Sequence, residues 1–414
     1  MSSQALSSRN MGRRMVAVAF FVDFVAVGFF FYSYGVFFKA IAAEFGDSRL
    51  GVSLGLTATN VVGAIAAPLL GRALDIYPLK RIIAIGCLSM TTGFLLLSQV
   101  SSQLQFYIVL GLFIGFGASS MGGLATAKLI ANWFNKRRGR ALGIAATGIS
   151  VSGVVMPFVS AALIEAYGWR QGFLFFGAFT GLVVLPIVLT LVVSKPSDVG
   201  LEPDGGRLVG NASGAEPPKP VIEDKPILKE RNFWVLVMAI GLMFCCQGAT
   251  LTHMVPRLTD TGIDLKMASL VMSLCAGLGV VGKVTFGFIG DSWAARKAFW
   301  LAIGCQVVGQ IMMLLAHDNL FIFAPGAMCF GFGMGGMVPL QGALIGRVFG
   351  SERFGKAMGY MRPAQLPLQV SGVPLAGWIY DVTGNYQPAF IIFLGVYAMA
   401  AVVVYFFREP DVRR

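Results

Sequence analysis

The stretch Gly71-Arg72-Ala73-Leu74-Asp75 has a counterpart 216 residues further along the chain, Gly287-Phe288-Ile289-Gly290-Asp291. The same offset relates Gly115-Phe116-Gly117 to Gly331-Phe332-Gly333. It also relates positions 139, 141, 143 and 168 to the identical residues at 355, 357, 359 and 384. One offset that holds across four separate segments indicates two halves built on the same plan and arranged in parallel.

Almost every repeated residue lies in or beside a long apolar stretch. Of the 414 residues, 56% are hydrophobic and 13% are charged, which excludes an ordinary soluble protein. The mean hydropathy is +0.74. Twelve stretches have the length of about 20 residues that a helix needs to cross a bilayer, namely 14–38, 51–70, 82–98, 105–130, 141–164, 172–193, 233–254, 267–290, 298–316, 320–346, 357–379 and 387–407. They are too long and too continuous for the strands of a membrane barrel.

Six of these stretches precede the polar segment 195–231 and six follow it. We therefore predict an all-α membrane protein with twelve transmembrane helices in two six-helix bundles related by internal duplication. The bundles span 1–194 and 232–414, and the Pro, Gly and charged residues of 195–231 are typical of a mobile cytoplasmic linker. Helices 10 and 11 also carry prolines that are predicted to interrupt them, at positions 339, 363, 367 and 374.

The net charge of +12 does not indicate nucleic acid, because the basic residues follow a membrane pattern. With the N-terminus in the cytoplasm, five basic residues fall outside and three, Lys128, Lys283 and Arg362, fall within spans. The other 24 of the 32 then lie on the cytoplasmic side, as the positive-inside rule requires. This asymmetry predicts a multi-pass protein of the cell membrane with both termini in the cytoplasm.

The chain carries no motif of an enzyme or of a metal site. Its six cysteines all fall inside predicted spans without metal-ligand spacing, and two histidines are too few to complete a metal site. A phosphate-binding P-loop is absent, so ATP is not the energy source. We expect no enzymatic activity, no cofactor and no metal.

The loop between helices 2 and 3 resembles the signature loop of the major facilitator superfamily. It runs from Gly71 to Asp75 and on to Lys80-Arg81, and its repeat continues to Arg296-Lys297. The resemblance covers the whole chain, although Pro78-Leu79 stands where the usual pattern has a glycine-containing turn. It implies that Asp75 and Asp291 take part in gating, since a carboxylate at a helix end can bind a neighbouring helix N-terminus or an arginine. The alternative is that they only mark topology.

Three further strings resemble the monocarboxylate porters and their bacterial relatives, which include oxalate–formate exchangers. They begin at Tyr34-Gly35-Val36-Phe37-Phe38-Lys39, at Trp133-Phe134 and at His253-Met254-Val255-Pro256. Two departures put that family's usual proton-coupling scheme in doubt here. Tyr32 stands where animal porters have a lysine linked to substrate, and Gly279 stands where they have an aspartate.

Ionisable groups deep in the membrane are functional candidates, because burying them is costly unless they are solvated or paired. Lys283 lies about 12 Å from the end of helix 8 at Asp291, and its repeat counterpart is the uncharged Ala67. The family carries a substrate-binding arginine at this position, so the resemblance implies that Lys283 binds a carboxylate. An internal salt bridge and snorkelling to the headgroups are the alternatives.

Three other residues are candidates for contact with the substrate. Arg362 on helix 11 is a second cation without a charged repeat counterpart, and it binds the substrate or faces cytoplasmic headgroups. Tyr32 can donate a hydrogen bond to a bound carboxylate, and Gln365 is a further candidate.

Two residues are candidates for proton coupling. Asp23 in helix 1 is either the counter-ion of Lys283 or Arg362, or the carrier of the proton. His253, near the outer end of helix 7, is an outer gate, a proton relay or a hydrogen-bonded residue of the entrance.

The resemblance and the candidate residues together predict a secondary transporter that moves a small organic anion by alternating access. A monocarboxylate moved in symport with a proton is the first hypothesis, and the expected functional unit is a monomer in the lipid bilayer. Anion exchange of the oxalate–formate type is the close alternative. Drug efflux is a third, which the missing Gly-Pro motif of helix 5 disfavours. A channel or a sensor is disfavoured because the two halves are charged asymmetrically and the termini are short.

Overall fold

The computed structural model is helical almost throughout. It describes residues 3–46, 48–134, 138–203, 226–292, 295–316 and 319–408. Within these residues, ten helical runs are long and apolar enough to cross a membrane. They are Asn10–Phe45, Arg49–Leu74, Leu79–Leu97, Gln103–Trp133, Ala141–Leu191, Arg231–Asp260, Leu265–Ile289, Arg296–Leu315, Leu320–Phe349 and Gln387–Tyr405.

The ten runs hold eleven of the twelve predicted spans. The run Ala141–Leu191 holds the fifth and sixth spans, which are separated at Gly168, where φ is 79°. The eleventh span, 357–379, lies within the helix Met337–Thr383, whose arginine and glutamine side chains lower its hydropathy. The predicted fold, twelve helices in two bundles related by duplication, is confirmed.

We number the α-helices in chain order. The helices of the first half are α1 Ser3–Val27, α2 Ser33–Phe45, α3 Arg49–Ile76, α4 Leu79–Leu97, α5 Gln103–Val109, α6 Phe116–Met121, α7 Leu124–Trp133, α8 Arg138–Phe179 and α9 Leu185–Leu191. Those of the second half are α10 Arg231–Asp260, α11 Leu265–Ser292, α12 Ala295–Leu315, α13 Leu320–Gly335, α14 Met337–Thr383 and α15 Gln387–Tyr405. A π-helical segment, Gly28–Tyr32, joins α1 to α2 within the first span.

Several helices begin and end where the sequence places capping residues. The Ser48 hydroxyl accepts from the Gly51 N–H at 3.0 Å, and the Asn319 side chain accepts from the Phe321 N–H at 2.9 Å. Helices α2 and α14 end at Gly46 and Gly384, both in the left-handed conformation that glycine adopts without strain.

Contacts between helices repeat with the offset of the sequence. A methyl group placed on Gly115 would lie 2.6 Å from the Thr59 carbonyl oxygen. In the second half, a methyl group on Gly331 would lie 1.9 Å from the carbonyl oxygen of Cys275, which is 216 residues after Thr59. The repeated glycines are therefore conserved within the duplication because a side chain would separate two helix backbones.

The predicted interruption of helix 11 by proline is wrong. Helix α14 runs through Pro363, Pro367 and Pro374 without a break. The tenth span passes from α13 to α14 at Gly336, three residues before Pro339. The fourth span is interrupted between α6 and α7, where Gly123 has a φ of 31°. Glycine lacks a Cβ and therefore adopts a positive φ without strain, whereas the ring of proline fixes φ at a negative value. The glycines at 122 and 123 thus permit this turn.

The two halves meet mainly along two helix pairs, α8 with α11 and α3 with α14, and α2 also packs on α10. The duplication relates these pairs, since the fifth span corresponds to the eleventh and the second to the eighth. At one end of the interface lie the connections near residues 46, 165, 262 and 385, and we call this end the closed face. The predicted domain boundaries remain a prediction, because most of the linker, 204–225, lies outside the described residues.

Candidate functional site

An ion-pair cluster joins the two halves at the closed face. The Arg49 guanidinium donates to both Asp260 carboxylate oxygens, at 2.8 and 3.1 Å. The Lys39 ammonium lies 2.8 Å from the same carboxylate. Arg49 also stacks over the ring of Tyr380 at 4.4 Å. Two cations of the first half therefore share one carboxylate of the second.

Asp381 links the halves in a different way. Its carboxylate accepts from the backbone N–H groups of Arg49 and Leu50, at 2.7 and 2.9 Å. These N–H groups lie at the start of α3 and have no partner within their own helix. A side chain of the second half therefore caps a helix of the first, where the helix dipole favours negative charge.

His253 lies beneath these ion pairs and is fully buried. Its Nε2 lies 3.0 Å from the Val373 carbonyl oxygen, and its Nδ1 lies 3.1 Å from the Tyr386 hydroxyl. A carbonyl only accepts, so Nε2 carries a proton, and Nδ1 of a neutral ring accepts from Tyr386. The ring packs edge-on against Phe38 of the first half, at 5.1 Å between centroids. The structure therefore places His253 inside the contact between the halves.

Lys283 makes a polar contact across the interface further from the closed face. Its Nζ donates to the Ser150 hydroxyl oxygen on α8 at 2.5 Å. Lys283 lies 18 residues after the first residue of α11 and nine before the last, or about 27 Å and about 14 Å along the axis. It therefore lies about 7 Å beyond the midpoint of the helix, on the side away from the closed face.

Tyr32 lies next to this contact, one turn along α8. A methyl group on Gly153 would lie 2.7 Å from Cζ of the Tyr32 ring, so the hydroxyl end of the ring packs on this glycine. The same methyl group would lie 3.0 Å from Cβ of Ala276 on α11. Among the described residues the Tyr32 hydroxyl has no hydrogen-bond partner. Tyr32 and Lys283, which belong to two other elements, thus contact neighbouring turns of α8.

The hydrogen-bond partners of Asp23 are residues of the fourth span and not the two predicted cations. Its carboxylate accepts from the Gly123 N–H at 2.8 Å and from the Thr126 hydroxyl at 2.9 Å. Gly123 is the N-cap of α7, so Asp23 binds the start of the second half of the broken fourth span. Among the described residues, neither Lys283 nor Arg362 contacts this carboxylate. In this conformation the Asp23 carboxylate therefore binds the start of α7 and neither of the two predicted cations.

The two candidates on α14 differ in their surroundings. The Arg362 side chain is exposed, whereas Gln365 is 3% exposed. The Gln365 Nε2 has no hydrogen-bond partner within the described part of the chain. A buried amide without a partner is costly and is a ready donor for a ligand.

Two cavities lie beside the interface, and neither holds the predicted site. One of about 280 Å³ near the closed face is lined by residues of α2, α8, α10 and α11, with Lys39 as its charged residue. The other, of about 400 Å³, is lined by apolar residues of α8 and α11 together with Ser273. None of the four residues predicted to bind substrate lines either cavity.

The side chains of the predicted gating residues, Asp75 and Asp291, lie outside the described residues. The sequence reasoning missed Ser150, Asp260 and Asp381. For Ser150 a signal existed: its repeat counterpart, Leu366, is apolar, just as the counterpart of Lys283 is uncharged. Two polar residues that break the repeat face each other across the interface.

Comparison with known families is consistent with this architecture. The family model described as Major Facilitator Superfamily matches residues 16–366 and 259–414. Monocarboxylate transporter 13 of Bos taurus is 26% identical over 384 residues, covering 92% of this chain and 85% of that protein. Monocarboxylate transporter 12 of Xenopus laevis is 26% identical over 326 residues, covering 75% of this chain and 70% of that protein.

Among solved structures, a bacterial homolog of the human lysosomal transporter Spinster superposes with a TM-score of 0.70. It is 13% identical and covers 98% of this chain and 97% of its own. At this identity the likeness concerns the fold alone.

Proposed function

Because this chain belongs to the Major Facilitator Superfamily, we propose that it is a proton-coupled symporter of a small monocarboxylate. It is a membrane transporter with relatives named monocarboxylate transporters, and no enzyme. The proposal adds the anionic substrate, the proton and the mechanism of alternating access. It rests on the surroundings of a single ammonium group.

That group is the Lys283 side chain. It lies between the two halves, where transporters of this kind bind their substrates. Its hydrogen-bond partner is the neutral Ser150 hydroxyl, and no carboxylate of a described residue pairs with it. The Nζ points to a side chain of the other half, which argues against both an internal salt bridge and snorkelling. A cation held by a hydroxyl favours an anionic ligand, since a carboxylate binds an ammonium more strongly than a hydroxyl does.

Asp23 is the proposed proton carrier. It is 3% exposed, and each of its described partners is a neutral donor. A buried carboxylate without a cation beside it binds a proton more readily than a paired one. His253 is better suited to the outer gate, because its ring contacts both halves in the closed region.

The orientation follows from the proposed placement of both termini in the cytoplasm of a cell membrane. The closed face then lies outside, and its ion pairs block access from that side. The substrate reaches Lys283 from the cytoplasmic side in this conformation, as alternating access requires for one of its two end states.

Uptake of radiolabelled lactate and pyruvate into proteoliposomes tests the proposal. We expect an inward proton gradient to stimulate uptake by wild type, and Lys283→Ala to lower it at least about ten-fold. Arg231→Ala is the control, since this cation stacks on Phe406 away from the interface. Normal uptake by Lys283→Ala would show that Lys283 does not bind the substrate, whichever substrate is transported.

Anion exchange is a second candidate, because the exposed Arg362 offers a second cation on α14. A pair of cations suits a dicarboxylate. Uptake that ignores the proton gradient but requires a preloaded organic anion would favour the exchanger. Loss of that activity in Arg362→Gln would place the second cation in its site.

A further inference from the structure

We propose that Ser150 is a second ligand of the substrate carboxylate, and that Lys283 exchanges the Ser150 hydroxyl for the substrate when it binds. This inference rests on the proposed function, since it assigns a residue of the same site. Ser150 is 6% exposed and lies on α8, in the half opposite to Lys283.

The hydrogen-bonding capacity of the pair supports this assignment. The Ser150 oxygen accepts from Lys283 Nζ at 2.5 Å, and its own O–H has no acceptor among the described residues. The ammonium has three donors, and one of them is used by this contact. A carboxylate between the two side chains would accept from both, with one oxygen for the ammonium and one for the hydroxyl.

A third donor packs against the next turn of α8. Gly153, one turn after Ser150, carries the hydroxyl end of Tyr32, whose O–H has no described acceptor. Three consecutive residues of a helix rise by about 4.5 Å, which is comparable to the size of a carboxylate with its hydrogen bonds. Donors from the first span and from α11 therefore contact positions of α8 that are one turn apart.

The position of the contact explains why the exchange matters for transport. Between pairs of described residues, Lys283–Ser150 is the inter-half hydrogen bond furthest along α11 from the closed face. A substrate that enters from the opposite face meets this bond before it meets the ion pairs. When a substrate carboxylate replaces the Lys283–Ser150 hydrogen bond, it contacts both halves, so the interface between them depends on whether substrate is bound.

Neighbouring serines provide a matched control. Ser152, two residues further on the same helix, is also buried, but its hydroxyl donates to the Ile149 carbonyl at 2.8 Å. Its hydrogen bond is satisfied within α8, so Ser152→Ala removes a hydroxyl of the same helix without touching Lys283.

The experiment measures KM and maximal uptake for lactate, pyruvate and acetate in proteoliposomes containing the full chain. We expect Ser150→Ala to raise KM about ten-fold for all three, because the carboxylate is the polar group that they share, with maximal uptake within about two-fold. Ser150→Thr should recover most of the affinity and Ser152→Ala should leave it unchanged. Size-exclusion profiles show whether each variant is folded.

An unchanged KM in Ser150→Ala, or a fall in maximal uptake alone, would overturn the assignment of Ser150. If the rise in KM differs between the three substrates, Ser150 contacts a part of the substrate other than the carboxylate, which contradicts the assignment. These results are distinct from failure of the proposed function, in which Lys283→Ala transports like wild type.

Discussion

The Asp23 carboxylate is buried, and its hydrogen-bond partners are compatible with both its charged and its protonated form. Gly123 donates a backbone N–H to this carboxylate, and Thr126 donates a hydroxyl. The Gly123 carbonyl oxygen, 3.2 Å from the Thr126 hydroxyl oxygen, is an alternative acceptor for that hydroxyl. If Asp23 gains a proton, the Thr126 hydroxyl can turn to that carbonyl. The site therefore tolerates loss of the charge without leaving a donor unpaired.

Asp23→Asn tests the proton role at this position. An asparagine keeps an oxygen for the Gly123 N–H but cannot carry a proton, so folding should be retained. We expect accumulation driven by a proton gradient to fall at least about ten-fold while counterflow exchange of substrate persists. Both are measured in proteoliposomes, with Thr126→Val as a control for the hydrogen bond alone. Gradient-driven accumulation by Asp23→Asn would assign the proton to another group.

At the scale of single residues the sequence predicts which side chains are unusual but not what they contact. The cation at Lys283 stands out because its repeat counterpart is apolar. Its partner Ser150 lies 133 residues away, and Asp23 lies 100 residues from Gly123. Such pairs depend on how helices rotate and pack, which the hydropathy of one segment does not determine.

Helix α8 carries two contacts of the candidate site on consecutive turns, and its glycines differ in what they permit. A Cβ on Gly153 would meet the Tyr32 ring at 2.7 Å and Ala276 at 3.0 Å. A Cβ on Gly143, on the same helix, would meet nothing within 4 Å. The first glycine is therefore required by packing between the halves, whereas the second is not.

Gly153→Ala should lower uptake at least about ten-fold, because the added methyl group displaces Tyr32 and separates α8 from α11. Gly143→Ala should leave uptake near wild type and stabilise the helix slightly. Initial uptake rates and thermal unfolding of the purified variants check both. Equal activity of the two variants would show that the Tyr32 position is unimportant for transport.

The interruptions of the helices show where element-level patterns mislead. Proline predicts a break because it lacks a donor and clashes with the preceding turn, yet α14 remains helical through Pro363, Pro367 and Pro374. In a membrane helix, neighbouring groups can satisfy the freed carbonyls. No sequence pattern singled out the paired glycines at 122 and 123, although they end one helix and begin the next.

For the whole molecule, the sequence predicts the architecture well because the duplication supplies two independent copies of each signal. The offset of 216 residues reappears as repeated contacts, such as Gly115 with Thr59 and Gly331 with Cys275. The conformational state could not be predicted in this way. It depends on contacts such as Arg49 with Asp260, which join residues that have no relation in the repeat.

The closed face should open when its cross-half cap is removed. In Asp381→Ala two N–H groups of α3 lose their acceptor, which costs about 1 kcal/mol at an exposed helix start and shifts the balance of states about five-fold. Labelling of Ser53→Cys by an impermeant maleimide applied from the closed-face side measures this opening, against the background of the native cysteines. Asp264→Ala is the matched control, since Asp264 caps α11 through the Met267 N–H within one half. Faster labelling in Asp381→Ala alone supports a gate between the halves, and equal labelling in both variants would show that loss of any cap loosens this face.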